Sequence, residues 1–104
     1  RPADAGAQLH HKNMISQRIL DKYQAAHDAH LNAEARARRY DSIHTAALRA
    51  GYPGPFHDEG VAFAQWMDQC NAAGYQIMAE IEAGTRAPLS VDDYLALLPE
   101  LVLP

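Results

Sequence analysis

The sequence predicts an all-α fold, a small helical bundle built on one long antiparallel helix pair and completed by two short helices. Two observations predict this fold. Apolar residues of the long segments recur at intervals of three and four residues, which places them on one face of a helix. No segment alternates apolar and polar residues in the way that a half-buried strand requires. The length of 104 residues corresponds to one domain.

The N-terminal part of the chain is expected to hold a linker followed by the first long helix. Residues 1–12 include a proline and a glycine and are interpreted as a linker or a disordered N-terminus, so a single helical domain is expected over residues 13–104. The first helix is expected over residues 13–39, which contain no Gly or Pro. Either Asn13 or Ser16 can cap its start by accepting a hydrogen bond from an exposed backbone N–H.

The first helix carries two stripes of mostly apolar residues. One repeats at alternating spacings of four and three residues, which is the pattern of a coiled-coil heptad. This possible oligomer seam consists of Ile19, Tyr23, Ala26, His30, Ala33 and Ala37. The second stripe consists of Leu20, His27, Leu31 and Ala35. We expect one stripe to face the rest of the domain and the other to face a partner chain, so that the protein forms a homo-oligomer, either a dimer or a trimer.

A short second helix and a rigid turn follow. Asp41 is a favoured N-cap residue for a helix over residues 42–50, and Gly51 is expected to end that helix in the left-handed conformation. The stretch from Tyr52 to Phe56 contains two prolines, which fix the backbone. This stretch is interpreted either as a helix connector, whose two aromatic rings clamp over the adjoining helices, or as a recognition loop.

The third helix is expected over residues 57–83 and has the strongest amphipathic pattern in the chain. Its apolar stripe consists of Phe63, Met67, Cys70, Gly74, Ile77 and Ile81. A glycine inside a helix is destabilising by about 0.5–1 kcal/mol, so Gly74 indicates that a neighbouring helix approaches closely there. Gly84 is expected to be the C-cap of the third helix.

The last helix is expected to begin at Ser90, which forms a capping box with Asp93 in place of the usual glutamate. Pro99 is expected to end it, because proline cannot continue a helix. The tail that follows, residues 100–104, is apolar and short. It either folds back on the core or inserts into a partner.

Composition and charge exclude several classes of function. The chain has 9 Lys and Arg against 13 Asp and Glu, whereas a nucleic-acid-binding module clusters cations against phosphates. Its one basic cluster, Arg36, Arg38 and Arg39, is interpreted as the last turn of the first helix, where cations complement the helix dipole. No apolar run reaches the ~20 residues of a membrane span. Cys70 is the only cysteine, so no intramolecular disulfide is possible, and a buried, inert thiol is expected.

No motif in the chain indicates an enzyme or a cofactor. A Gly-rich phosphate loop, a nucleophile elbow and a zincin motif are all missing from the sequence. His27, His30 and Glu34 lie near one helix face and are weak candidates for metal ligands. A real site needs a further ligand and supporting hydrogen bonds, so no metal is expected at a single copy of this helix. In a trimer, three copies of His30 would meet on the axis and could hold an ion.

Residues 30–104 contain a series of short motifs. They are Arg38-Arg39-Tyr40-Asp41-Ser42-Ile43, Pro55-Phe56, Glu59-Gly60, Ala62-Phe63, Trp66, Tyr75, Gly84-Thr85-Arg86, Ser90-Val91-Asp92-Asp93-Tyr94-Leu95 and Leu98-Pro99. Their order and spacing resemble a small helical domain found near the C-terminus of phage and prophage tail fibre and tail-associated proteins. The chain departs from that pattern at residues 67–70, where other members often carry an arginine and a second tryptophan. The surface of the third helix is therefore expected to differ.

The resemblance implies a non-enzymatic role in tail structure or protein interaction. The implied partners are other phage tail proteins, and the implied location is the virion tail, or the host cytoplasm during assembly. An alternative is a tail (fibre) assembly chaperone or adaptor that is absent from the mature virion, and a second alternative is a metal-binding regulatory helical module. The resemblance names no binding residues. Because large aromatic side chains dominate contact energetics, we expect the packing or interface anchors to be Tyr40, Tyr52, Phe56 and Trp66.

Overall fold

Four α-helices and one 3₁₀ helix make up the part of the chain that the structure, a computed structural model, describes: the backbone of residues 2–104 and the side chains of residues 17–104. They are α1 (Pro2–Ala37), α2 (Ile43–Leu48), the 3₁₀ helix (Arg49–Gly51), α3 (His57–Ala83) and α4 (Val91–Ala96). No strand occurs among these residues. The prediction of an all-α domain is therefore confirmed.

Helix α1 begins earlier than the sequence pattern indicated. It runs from Pro2, and proline suits the first helical position because its missing N–H is not needed there. The prediction that Asn13 or Ser16 caps the helix is therefore wrong, since both lie inside it. The side chains of residues 1–16 lie outside the described part of the structure. The boundary at residue 12 between a linker and the domain stays a prediction.

The two long helices are antiparallel, as predicted. In three contacts, the residue numbers rise along α1 and the residue that follows its end, while the numbers of their partners fall along α3. His27 bonds to Asn71, the ring of His30 lies 5.7 Å from that of Trp66, and Arg38 pairs with Glu59.

The core fills the space between α1 and α3 and is closed by α2 and α4. From α3 it takes most of the predicted stripe, with Phe63, Cys70, Gly74, Ile77 and Ile81 buried. From α1 it takes His27, Leu31 and Ala35 of the second stripe, together with Tyr23. The short helices add Ile43, Ala46 and Tyr94, and the segment after α4 adds Leu98. The second stripe of α1 is therefore the one that faces the rest of the domain.

Gly74 has the close neighbours that the sequence predicted. A Cβ atom at this position would lie 2.5 Å from Tyr94 Oη and 3.2 Å from a ring carbon of His27. The approach is made by these two side chains, one from α4 and one from α1. A larger residue at Gly74 would displace the contact through which α4 packs on the long helix pair.

Helix α1 ends in a left-handed turn at Arg39, whose φ is 72°. The backbone N–H of Tyr40 donates to the carbonyl of Ala35 at 3.1 Å, and that of Arg39 donates to Arg36 at 2.9 Å. This pair of bonds is a Schellman motif, in which glycine usually takes the left-handed position because a side chain there costs about 1 kcal/mol. An arginine is therefore held where glycine is the favoured residue.

Two predictions about the ends of α2 are wrong. Ser42 rather than Asp41 is the N-cap: it has the extended backbone that a cap requires, and its hydroxyl accepts from the N–H of Thr45 at 3.3 Å. At the other end, α2 stops at Leu48 and the chain tightens into the 3₁₀ helix. Gly51 ends that helix without a positive φ, and the chain leaves the helix through the extended backbone of Tyr52.

Gly60 sets the distance between α3 and the 3₁₀ helix. A Cβ atom on Gly60 would lie 2.6 Å from Arg49 Cβ and 2.7 Å from the backbone nitrogen of Ala50. Backbone atoms cannot move aside as the end of a flexible side chain can. The absence of a side chain at Gly60 therefore fixes where Arg49 stands relative to the start of α3.

The C-terminal part folds back on the core. Gly84 takes the left-handed conformation at the C-cap of α3, and Ser90 caps α4 by accepting from the N–H of Asp93 at 3.1 Å, both as predicted. Helix α4 ends at Ala96, before Pro99. The indole N–H of Trp66 donates to the carbonyl of Pro99 at 2.7 Å, which ties the tail to α3.

Candidate protein-interaction surface

Trp66, one of the four predicted anchors, is a packing residue of the core. Its side chain is 2% exposed, its ring meets His30 and Phe63 edge-on, and its N–H is bonded to Pro99. All of its surface is therefore used within the chain. A partner cannot reach Trp66 unless the C-terminal segment moves.

Tyr40 has an intermediate position between the core and the surface. Its ring packs edge-on against Phe63 with centroids 5.8 Å apart. Partial burial, followed by the nearby carboxylate of Glu59, raises the pKa of the Tyr40 hydroxyl. The hydroxyl therefore stays protonated at neutral pH and can donate a hydrogen bond.

Tyr52 and Phe56 are exposed at the turn that precedes α3. They are 45% and 51% exposed, and Leu48 at the end of α2 is 65% exposed. We call these three residues the turn-end patch. Its turn is stiffened by Pro53 and Pro55, so two aromatic side chains are displayed on a backbone with little freedom. Aromatic side chains held in this way bind a partner with a small loss of conformational entropy.

A basic pocket of about 500 Å³ adjoins the turn-end patch, between the end of α1 and the start of α3. It is lined by Ala37, Arg38, Arg39, Tyr40, Arg49, Phe56 and Glu59. Arg38 reaches across it to Glu59 with two hydrogen bonds of 3.0 and 3.4 Å. The bond to Glu59 raises the pKa of Arg38 above its ordinary value. This ion pair joins the two long helices at the pocket wall.

Arg49, which was not predicted as a functional residue, links the basic pocket to the turn-end patch. Its Nη1 donates to the hydroxyl of Tyr52, and its guanidinium carbon lies 5.8 Å from the centre of the Phe56 ring, a cation–π distance. Its Nε is buried and has no hydrogen-bond partner among the described residues. The sequence signal was its spacing, since Arg49 precedes Tyr52 by three residues and Phe56 by seven.

The possible oligomer seam of α1 is divided between the core and the surface. Tyr23 is buried, stacks on Tyr94 with centroids 4.9 Å apart, and exchanges hydrogen bonds with the backbone of Leu89. Ile19, Ala26 and His30 are partly buried, and Ala33 and Ala37 are exposed. Tyr23 and His30 therefore make contacts inside the chain. Self-association through this helix stays a prediction that only its exposed face could satisfy.

The three weak metal candidates are not brought together. His27 is buried, with Nδ1 2.8 Å from Tyr94 Oη and Nε2 2.8 Å from Asn71 Oδ1, so both ring nitrogens are paired within the protein. His30 packs against Trp66, one turn away. Within the described residues, no group of three or more His, Cys, Asp or Glu side chains is placed to hold a metal ion. His27 acts here as a buried polar connection between α1, α3 and α4.

Cys70 has the environment of an inert thiol, as expected. It is fully buried, its Sγ lies 3.7 Å from the carbonyl of Pro99, and burial raises the pKa of its thiol to about 11. A thiol with such a pKa carries almost no thiolate at neutral pH.

Among the described residues, no helix is long and apolar enough to cross a membrane.

The comparisons with known proteins do not place the chain in a family. A scan against protein-family models, a search of curated proteins and a search of solved structures each give no significant match.

Proposed function

We propose that this chain is a non-enzymatic domain of a phage or prophage tail-associated protein, with a structural or protein-interaction role. The observation that carries the proposal is the turn-end patch. Leu48, Tyr52 and Phe56 leave roughly half or more of their surface to solvent. Exposed, rigidly held aromatic residues are a feature of protein-binding surfaces.

The resemblance stated above supplies the tail context. The Pro55-Phe56 motif belongs to that resemblance and lies in the turn-end patch, and Arg38 and Arg39 of another motif line the adjoining pocket. Two of its motifs therefore meet at one surface of the folded chain. That coincidence supports a role in binding other tail proteins, and a dimer or trimer is proposed as the assembled form.

The proposal is tested in assembled tails. A tag is placed on the full protein that carries this chain, the phage or prophage is induced, and purified tails are analysed by quantitative mass spectrometry. We expect a fixed copy number relative to a tail tube protein. Presence in assembly intermediates and absence from finished tails would replace the structural role by the assembly chaperone or adaptor. Absence from both would overturn the proposal.

A matched pair of variants links the test to the turn-end patch. Tyr52→Ala combined with Phe56→Ala is expected to fold, because both side chains are exposed, and to lower the copy number in tails. Val102→Ala removes an apolar side chain that is 80% exposed in the C-terminal tail and lies outside the motifs of the resemblance, and it is expected to leave the copy number unchanged. Equal copy numbers for both variants would contradict a role for the patch.

Light scattering over a concentration series measures whether the isolated chain is a dimer or a trimer.

A further inference from the structure

We infer that the basic pocket binds a carboxylate of an acidic peptide segment in a partner protein, with an apolar side chain of the same segment resting on Phe56. This inference rests on the proposed function, because it names the chemistry of the partner that a tail-interaction domain would bind. It assigns the binding to Arg39 and Arg49, which line the pocket together with the Arg38–Glu59 ion pair.

The charge of the pocket is opposite to that of the chain. The protein carries a net charge of −4, yet three of its nine Lys and Arg residues line this one pocket, with a single carboxylate, Glu59. Arginine is charged at every relevant pH. A local excess of positive charge attracts an anionic group.

The ion pair leaves two of the three arginines without a carboxylate. Glu59 is held by Arg38 through both of its oxygens. Arg39 and Arg49 have no ion pair among the described residues, and Nε of Arg49 is buried without an acceptor. The guanidinium groups of Arg39 and Arg49 line the pocket and can bond an anion that enters it. A carboxylate fits, because it accepts two parallel bonds from one guanidinium.

The backbone at Arg39 supports a binding role for this side chain. Its left-handed conformation favours glycine, so folding alone would select glycine there. Strain of this kind occurs where a side chain is needed for function. The side chain of Arg39 lines the pocket instead of contributing to the core.

The lining residues favour a peptide carboxylate over phosphate. A free phosphate ion would use only the arginines, whereas a peptide carries both a carboxylate and an apolar side chain. Phe56 is half exposed at the rim and is covered on one side by the Arg49 guanidinium, so its remaining surface can take an apolar side chain. The hydroxyl of Tyr40, also in the wall, can donate to the same carboxylate.

The experiment is an NMR titration of the isotope-labelled chain with the peptide acetyl-Leu-Glu-Phe-Glu-amide. Its matched control is the neutral peptide acetyl-Leu-Gln-Phe-Gln-amide, and inorganic phosphate is the third ligand. We expect the acidic peptide to shift the backbone amides of Arg39, Tyr40 and Phe56, and the neutral peptide to bind at least about tenfold more weakly. Equal binding of both peptides, or tighter binding of phosphate, would overturn the inference.

Three variants separate binding from folding. Arg39→Gly removes the charge while giving the turn its favoured residue, so weaker binding by about tenfold cannot come from misfolding. Arg49→Gln is expected to weaken binding by a similar factor. Arg18→Gln makes the same charge change on an exposed part of α1 and is expected to bind like the unmodified chain. Unchanged binding by Arg39→Gly, or equal loss in Arg18→Gln, would contradict the assignment of the site.

The result is independent of the test for tail association. If the chain is found in tails but the acidic peptide does not bind, only the assignment of the partner's chemistry fails. If the peptide binds and the chain is absent from tails and from their assembly intermediates, the pocket stands and the tail context fails.

Discussion

Aromatic residues are used in opposite ways at the α1–α4 contact and at the turn before α3. At the first, Tyr23 and Tyr94 stack, are almost fully buried, and have their hydroxyls bonded to Leu89 and His27. At the second, Tyr52 and Phe56 keep about half of their surface in solvent and contact Arg49, which has no ion pair among the described residues. The difference indicates that the first region stabilises the domain, while the second has polar and apolar groups available for a partner.

The largest expected difference in the free energy of unfolding is between removing a buried and removing an exposed aromatic side chain. Trp66→Ala is expected to lower the free energy of unfolding by about 3–5 kcal/mol, because it leaves a cavity and an unbonded carbonyl at Pro99. Phe56→Ala is expected to change it by no more than about 0.5 kcal/mol. Urea denaturation followed by circular dichroism measures both. Similar losses for the two variants would mean that Phe56 is part of the core.

The buried hydroxyl of Tyr94 is expected to contribute more than an exposed one. Tyr94→Phe removes the partner of His27 Nδ1 and is expected to cost about 1–3 kcal/mol, the price of a buried group without a hydrogen bond. Tyr75→Phe is the control, because Tyr75 is exposed and its change should stay within about 0.5 kcal/mol. Equal stability of the two variants in urea would show that the His27–Tyr94 bond contributes nothing.

Gly60 connects the stability of the domain to the geometry of the basic pocket. Gly60→Ala forces a Cβ against the backbone of the 3₁₀ helix and is expected to cost about 1–3 kcal/mol and to weaken binding of the acidic peptide by moving Arg49. Gly54→Ala is the control, since its Cβ would meet only a Tyr52 ring carbon at an ordinary 3.8 Å. Thermal unfolding and the NMR titration test both effects. A fully stable Gly60→Ala variant would contradict the rigid contact.

Alkaline pH is expected to weaken the buried region first. Burial raises the pKa of Cys70 from 9.0 to about 11 and that of Tyr94 from 10.0 to about 12. Folding therefore favours the protonated forms, and this stabilisation is complete below pH 9 and is lost as pH rises through the folded values. The expected loss is about 2 kcal/mol for each of the two groups between pH 9 and 12. Cys70→Ala should flatten the part between pH 9 and 11; an unchanged profile would contradict burial of the thiol as its cause.

The smallest expected effect is an increase in the free energy of unfolding. Arg39→Gly is expected to raise the free energy of unfolding by up to about 1 kcal/mol, because glycine takes the left-handed position without strain. Arg36→Gly, inside α1, is expected to lower it by about 0.5–1 kcal/mol. Thermal unfolding compares the two. Destabilisation by Arg39→Gly would show that the arginine side chain contributes to folding, which would weaken its assignment to binding.

Local patterns in the sequence determined the helices and much of the core. The stripe of α3, the glycine cap at Gly84 and the serine cap at Ser90 follow from spacing and backbone preference, which act within a few residues. The same local rules failed near α2. There Ser42 caps α2 in place of Asp41, and the N–H of Ile43, the first helical residue, donates to Asn32 of α1, a contact that local rules do not include.

The tertiary structure alone decided which aromatic residues are buried and which arginines meet. Periodicity could not separate Trp66 from Phe56, because the fold-back of Pro99 buries Trp66, whereas Phe56 is covered only in part by Arg49 and stays half exposed. It also could not place Arg49 in the same pocket as Arg39, since that pocket forms only when the end of α1 and the 3₁₀ helix pack on the start of α3. Spacing along a chain reports one element at a time, whereas burial and charge pairing depend on contacts between elements that are distant in sequence.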